Sequence, residues 1–217
     1  MNFRRVLTSL HILMVISLPA FSQTGEWKLQ KDENGIKIYT RHADGFAIDE
    51  LKTESIVKAP MAAVVGVIMD ADHYQDWIYA CAESRVLQKI SDTEQYQYQI
   101  NDLPYPLSDR DIAIHLRVWK DSVSNMIKTS SVGEPAYIPA KPGLVRVPVF
   151  LAQYEIAQLA DGKVKITYQL KFDPGGSIPD WVVNWFLVKA PFESNVKMRE
   201  VMESGKYDNS VYDFLNQ

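Results

Sequence analysis

In the run Val164-Lys-Ile-Thr-Tyr-Gln-Leu-Lys-Phe172 every second residue is apolar or aromatic and every residue between is polar. Successive side chains of an extended strand point to opposite faces, so this period of two specifies a strand with one dry face and one wet face. Ile112, Ile114, Leu116 and Val118 repeat the pattern, and Tyr96, Tyr98 and Ile100 alternate with Gln95, Gln97 and Gln99. Gly35-Ile-Lys-Ile-Tyr-Thr-Arg41 and residues 46–58 read as a hairpin around Ala43-Asp44-Gly45. Further strands are expected near Met126 and from Val145 to Ile156. Strands with one wet face belong to an antiparallel sheet, and the dry face of that sheet needs a cover.

Three segments have a helical pattern. Pro60 can open a helix through Met61-Ala-Ala-Val-Val-Gly-Val-Ile-Met69, and Asp72-His-Tyr-Gln-Asp-Trp77 reads as a second, short one. Only the third, from Pro179 to about residue 203, is long enough to cross a sheet. Its first part, Trp181-Val-Val-Asn-Trp-Phe-Leu-Val188, carries no charge. Helical spacing puts Trp181, Trp185, Val188 and Phe192 on one stripe toward the sheet, with Val182, Phe186 and Leu187 turned elsewhere. Strands, two short helices and one long terminal helix make an α+β fold in which the helix covers the sheet. A curved sheet gripping one helix leaves a space between them that can be a filled core or an apolar ligand site.

The chain has 217 residues, 47% hydrophobic and 23% charged, the composition of one globular domain. Its first 22 residues read as a leader: Arg4 and Arg5, then an apolar run to Leu18, then Ala20 and Ser22 at the spacing a signal peptidase reads. The run is shorter than the ~20 residues a membrane span needs. One domain over residues 23–217, exported to the periplasm or secreted, is therefore expected. Cys81 is the single cysteine and can form no internal disulfide. A formal net charge of −4, more negative without Arg4 and Arg5, does not suit a nucleic-acid phosphate backbone.

Catalytic signatures are missing. His42, His73 and His115 have no second histidine or cysteine at metal-ligand spacing. Ser55-Ile-Val-Lys58 and Ser194-Asn-Val-Lys197 match Ser-x-x-Lys, but the companion motifs Ser-Asp-Asn and Lys-Thr-Gly are lacking. No Gly-x-Ser-x-Gly elbow, phosphate loop or dinucleotide fingerprint occurs. No catalytic residue, metal or cofactor is expected.

The candidate site residues are those sent inward. Arg110 has the parity of Ile112, Ile114 and Leu116, so its guanidinium points to the apolar face, where it must find a carboxylate, carbonyls, water or a ligand head group. Arg146 has the opposite parity to its apolar neighbours' and is the weaker candidate. Trp77, Tyr98, Ile114, Tyr168, Trp181, Trp185 and Val188 complete the set, an aromatic-rich lining suited to an amphipathic ligand.

Four stretches together resemble the START (StAR-related lipid-transfer) domains of the helix-grip superfamily, which also holds polyketide cyclases and the birch-pollen allergen. They are Gly35-Ile-Lys-Ile-Tyr-Thr-Arg41, Asp76 with Trp77-Ile-Tyr-Ala-Cys-Ala-Glu-Ser-Arg-Val-Leu87, Pro104-Tyr-Pro-Leu-Ser-Asp-Arg-Asp111, and Asp173-Pro-Gly-Gly-Ser-Ile-Pro-Asp-Trp-Val-Val-Asn184. The resemblance covers roughly residues 25–205. It implies a curved antiparallel sheet wrapped around the C-terminal helix, with a tunnel for one lipid or sterol-like molecule. Two features depart from the family pattern: the segment before Gly35 is short, and Val147-Pro-Val-Phe-Leu-Ala-Gln-Tyr154 stands where a glycine-rich, tryptophan-bearing strand belongs.

The expected function is binding and transfer of one hydrophobic molecule by a monomer in transient contact with membranes. The alternatives are a cyclase- or hydrolase-like enzyme using the same cavity and an interaction module whose terminal helix responds to the ligand. Cleavage of the leader predicts that N-terminal sequencing of the exported protein begins at Gln23; an intact Met1 in that material would contradict it.

Overall fold

The computed structural model describes residues 25–179, 182–183 and 185–216. The expected leader, Trp181 and Asn184 lie outside the described residues. Ten strands among these residues form one sheet: β1 (Lys28–Glu33), β2 (Ile36–Arg41), β3 (Glu50–Val57), β4 (Cys81–Ser91), β5 (Glu94–Asn101), β6 (Arg110–Lys120), β7 (Ile127–Gly133), β8 (Val145–Arg146), β9 (Val149–Gln158) and β10 (Val164–Asp173). Their spatial order is β1-β2-β3-β10-β9-β7-β6-β5-β4, antiparallel throughout, with the short β8 added parallel to β6. The first and last parts of the chain meet where β3 pairs with β10, and every other neighbouring pair except β9-β7 is a simple succession.

Helix α1 (Met61–Met69) starts at Pro60, whose carbonyl accepts the N–H groups of Ala63 and Val64. A 3-10 turn, Ala71–Asp76, follows it directly. The C-terminal segment enters through a helical turn at residues 182–183, winds as a π-helix over Trp185–Lys189, and continues as α2 (Ala190–Glu203). Pro191 explains the change of winding, because it has no N–H to close the α-helical bond to the carbonyl four residues earlier. No helix among the described residues is long and apolar enough to cross a membrane.

The inner face of the sheet carries Ile36 and Ile38 from β2, Leu51 and Val57 from β3, Val164 and Ile166 from β10, Ile156 from β9, Ile127 from β7, and Ile112, Ile114 and Leu116 from β6, all buried. They form two main clusters. One packs beneath α1 with Met198 and Met202 of α2; the other gathers Ile36, Ile38, Leu51 and Phe172 under Leu187 and Phe192. Residues 204–216 fold back over the first cluster, where Tyr207, Tyr212, Phe214 and Leu215 add their rings and side chains. Gly66 of α1 admits that tail, since a Cβ there would stand 2.9 Å from Ser210 Oγ and 3.0 Å from Tyr207.

Three elements differ from the sequence reading. A first strand, β1, precedes Gly35 and pairs with β2 through Asn34-Gly35, both at positive φ, a hairpin turn that the short N-terminal segment concealed. The strand expected from Val145 to Ile156 is split, because Pro148 cannot donate to a ladder and separates β8 from β9. The tyrosines of β5 face outward. Gln97 pairs with Ile114 and Gln99 with Ile112, and paired residues share a face, so the glutamines of β5 look into the concave side of the sheet.

Candidate functional site

Between the two apolar clusters the helix and the sheet do not meet, and a cavity of about 190 Å³ remains. The period-two strands wall it on one side with Ile112 and Ile114 of β6, Ala152 and Tyr154 of β9, Tyr168, Leu170 and Phe172 of β10, and Gln97, Gln99 and Asn101 of β5. The helical segment supplies Trp185, Phe186, Ala190, Pro191, Ser194, Asn195 and Met198. The segment after α1 closes a third side with Tyr74, Trp77, Ile78 and Tyr79.

Aromatic rings set the shape of this space. Tyr154 and Tyr168 face each other across β9 and β10 with ring centres 4.6 Å apart. Phe186 stands edge-on to both Phe172, at 5.4 Å, and Trp185, at 5.1 Å, and Trp185 lies 6.0 Å from Tyr79. Tyr74 and Trp77 make a further edge contact at 5.2 Å. Burial raises the pKa of the Tyr74, Tyr154 and Tyr168 hydroxyls, so they remain protonated, neutral groups at physiological pH. Burial also pushes the Cys81 thiol up to about 11, which leaves it a thiol rather than a reactive thiolate. Among the described residues no three His, Cys, Asp or Glu side chains come together to hold a metal ion.

Of the nine residues singled out in the sequence, Trp77, Ile114, Tyr168 and Trp185 line the cavity. Trp181 lies outside the described residues. Val188 packs instead beside the Ile36, Ile38 and Leu51 cluster. The π-helical turn supplies the reason, because it shifts the phase of the stripe and brings Phe186 rather than Val188 to the cavity.

Tyr98 and Arg146 sit together on the convex side, away from the cavity. Arg146 donates from Nε and Nη2 to the two oxygens of Asp111, each at 2.8 Å, and Tyr98 donates its hydroxyl to Asp111 at 2.9 Å. Burial alone would raise the Asp111 carboxyl, but the Arg146 and Tyr98 bonds outweigh it and hold the group below the usual carboxylate range. Arg146 also reaches the carbonyls of Pro135, Ile138 and Pro139, so the pair pins the long loop that precedes β8. Arg85 and Lys141 lie over the Tyr98 ring at 4.7 and 4.5 Å and complete its burial. A carboxylate partner, one of those open to Arg110 from the sequence, belongs instead to Arg146.

Arg110 is 4% exposed and does point inward at the start of β6, yet it stops short of the cavity. Its Nε donates to the Pro174 carbonyl at 3.3 Å, Nη2 to the Gly175 carbonyl at 3.1 Å, and Nη1 to the Ser108 carbonyl. Burial pulls its pKa down, and neighbouring Asp109 works against that shift. The guanidinium therefore ties the loop before β6 to the turn that launches the helical segment. Gly175 must be glycine in that turn: its φ is 73°, and a Cβ would press on Val145 at 3.2 Å and Pro148 at 3.3 Å.

The lining that sequence reasoning did not pick out includes its polar groups, Gln97, Gln99, Asn101, Ser194 and Asn195, beside apolar side chains such as Phe172 and Phe186. The period-two pattern marked the glutamines as alternating, but it does not say which of two faces is the concave one.

A sheet gripping a C-terminal helix around an uncharged, aromatic cavity agrees with the comparisons. The family model for the START domain matches residues 10–206. The chain belongs to the START domain family. A StAR-related lipid transfer protein of Xanthomonas axonopodis superposes with a TM-score of 0.75 at 36% identity, covering 81% of this chain and 98% of that one. An uncharacterized protein of Pseudomonas aeruginosa is 33% identical over 178 residues, 82% of this chain and 87% of its own length. The phosphatidylcholine transfer protein of Mus musculus is 29% identical over 168 residues, 74% of this chain and 76% of that protein.

The Arg110 geometry yields a prediction. Arg110→Met removes charge-assisted bonds to buried carbonyls and should lower stability in urea by about 1–3 kcal/mol, with the relative affinities for anionic and neutral lipids unchanged per folded molecule. A selective loss of anionic-lipid binding at unchanged stability would place Arg110 at a head group instead.

Proposed function

We propose that this START domain binds one lipid or sterol-like molecule in the cavity between sheet and helix and carries it through an aqueous compartment. The observation that carries the reading is the cavity itself: a space walled by aromatic and aliphatic side chains on three sides, where the helix lies over the sheet without filling the gap. Each methylene moved from water into such a space contributes about 0.8 kcal/mol, set against the loss of translational and rotational freedom on binding. The leader-like character of the first 22 residues supports a carrier in the periplasm or outside the cell, acting as a monomer that meets membranes while loading and unloading.

The route in and out runs past the C-terminal segment. The Pro174-Gly175-Gly176 turn is the pivot, Arg110 holds its near side, and Trp185 and Phe186 are the side chains of the moving element that face the ligand. Trp185 is half-buried, makes ring contacts with Tyr79 at 6.0 Å and Phe186 at 5.1 Å, and lines the cavity, where a bound chain would pack on it. Trp185→Ala should therefore reduce lipid loading from vesicles by more than it reduces the folded fraction. Equal loading per folded molecule in mutant and parent would make Trp185 an ordinary packing residue.

A further inference from the structure

The wall of the cavity has a polarity that the lipid-binding reading does not require. Among its described lining residues none is charged. Its polar groups are amides, serine hydroxyls and protonated phenols. Lys189, whose Nζ is 5.7 Å from the ring centre of Tyr79, is exposed on the outside of this wall, and Arg110, paired with Asn101 across the ladder, has its guanidinium taken up by backbone carbonyls. A phosphodiester or carboxylate drawn into this space would leave water without a cationic partner, a far costlier transfer than that of a neutral hydroxyl.

One polar atom of the wall is in addition unpaired. Asn195 of α2 is 6% exposed, and its Nδ2 donates to the Pro191 carbonyl at 2.8 Å and more weakly to Thr53 Oγ1 at 3.4 Å. Turning the amide over would set Oδ1 against the Pro191 oxygen, acceptor to acceptor, so the orientation is fixed by its surroundings. Oδ1 is then a buried acceptor with no hydrogen-bond partner, and of the described residues that carry such a buried, unpaired side-chain atom Asn195 is the one that lines the cavity. A buried acceptor without a donor is unfavourable, and a ligand that supplies an O–H or N–H relieves it. Next to it, Ser194 Oγ accepts the Tyr79 N–H at 2.9 Å and retains its own hydrogen to donate. Across the space, Gln99 Nε2 donates to Asn101 Oδ1 at 2.6 Å, and the remaining amide atoms of that pair offer both a donor and an acceptor.

We infer that the cavity takes an uncharged lipid bearing a hydroxyl or amide N–H at its polar end, such as a long-chain alcohol, an acylglycerol or a sterol, with Asn195 Oδ1 as the acceptor that orients it. The inference rests on the lipid-binding reading above and narrows it. It also separates this chain from a carrier of phosphatidylcholine, a lipid whose phosphate needs a cation and whose head and ester groups hold no O–H or N–H to give to Asn195.

Four probes decide it: oleyl alcohol, methyl oleate, oleate, and dioleoylphosphatidylcholine presented in vesicles. The first three share one chain and differ in a donor or a charge. Oleyl alcohol should bind about 10-fold more tightly than methyl oleate, equivalent to about 1.4 kcal/mol, with oleate and dioleoylphosphatidylcholine weaker than the alcohol. Asn195→Leu should bring the alcohol to the level of the ester. Should that variant not fold, the ranking of the four probes on the parent protein decides alone. Oleate or dioleoylphosphatidylcholine binding as tightly as the alcohol overturns the inferred class while leaving lipid binding intact. Equal affinity for alcohol and ester in the parent, or a gap that survives Asn195→Leu, removes Asn195 from its role. Failure of all four to bind rejects the lipid-binding reading and this inference with it.

Discussion

An antiparallel sheet of this width has one face made of isoleucine, valine, leucine and aromatic side chains, and burying that face against a single helical segment is the interaction from which the other features follow. The helix touches the sheet through two clusters, one with α1 and the other around Ile36, Ile38, Leu51 and Phe172. A helix is narrower than the concave surface it covers, so the two contacts leave a space between them. The space is kept open by rings that brace one another, Tyr154 on Tyr168 and Phe186 between Phe172 and Trp185. The cavity is thus a consequence of how the sheet is covered rather than a separate construction.

The same constraint gives the buried charges their roles. Arg146 and Arg110 are both consumed in holding loops to the sheet: Arg146 with Asp111 on the convex side, and Arg110 on the carbonyls of the turn before the helix. Neither brings its charge to the ligand. What remains to recognise a ligand is shape, apolar surface and a row of neutral hydrogen-bonding groups, which favours molecules that are mostly hydrocarbon. The turn held by Arg110 is also the connection between β10 and the covering helical segment.

Much of this was legible in the sequence wherever a physical period dominated. The alternation in β10 and β6, the Pro60 start of α1 and the uncharged helix all specified their elements, and Trp77, Ile114, Tyr168 and Trp185 were placed together from pattern and resemblance. Three things were not legible, each for a physical reason. Period two is symmetric, so alternating tyrosine and glutamine in β5 cannot say which set faces inward; the register with Ile112 and Ile114 decides it. The π-helical turn before Pro191 breaks the 3.6-residue phase on which the Val188 stripe depended. Arg110 was correctly sent inward, but its partners are backbone carbonyls from a turn more than sixty residues away in the chain, and carbonyls leave no mark in a sequence.

The central claim is that the space between sheet and helix is a lipid site rather than an imperfectly packed core. The most direct test is mass spectrometry of the protein purified without detergent, first intact under native conditions and then after organic extraction. The account predicts one lipid-sized, mostly hydrocarbon molecule per protein chain, released by the solvent and regained on incubation with lipid vesicles. Protein that is free of any such molecule as purified, and that gains none from vesicles while folded, would contradict it.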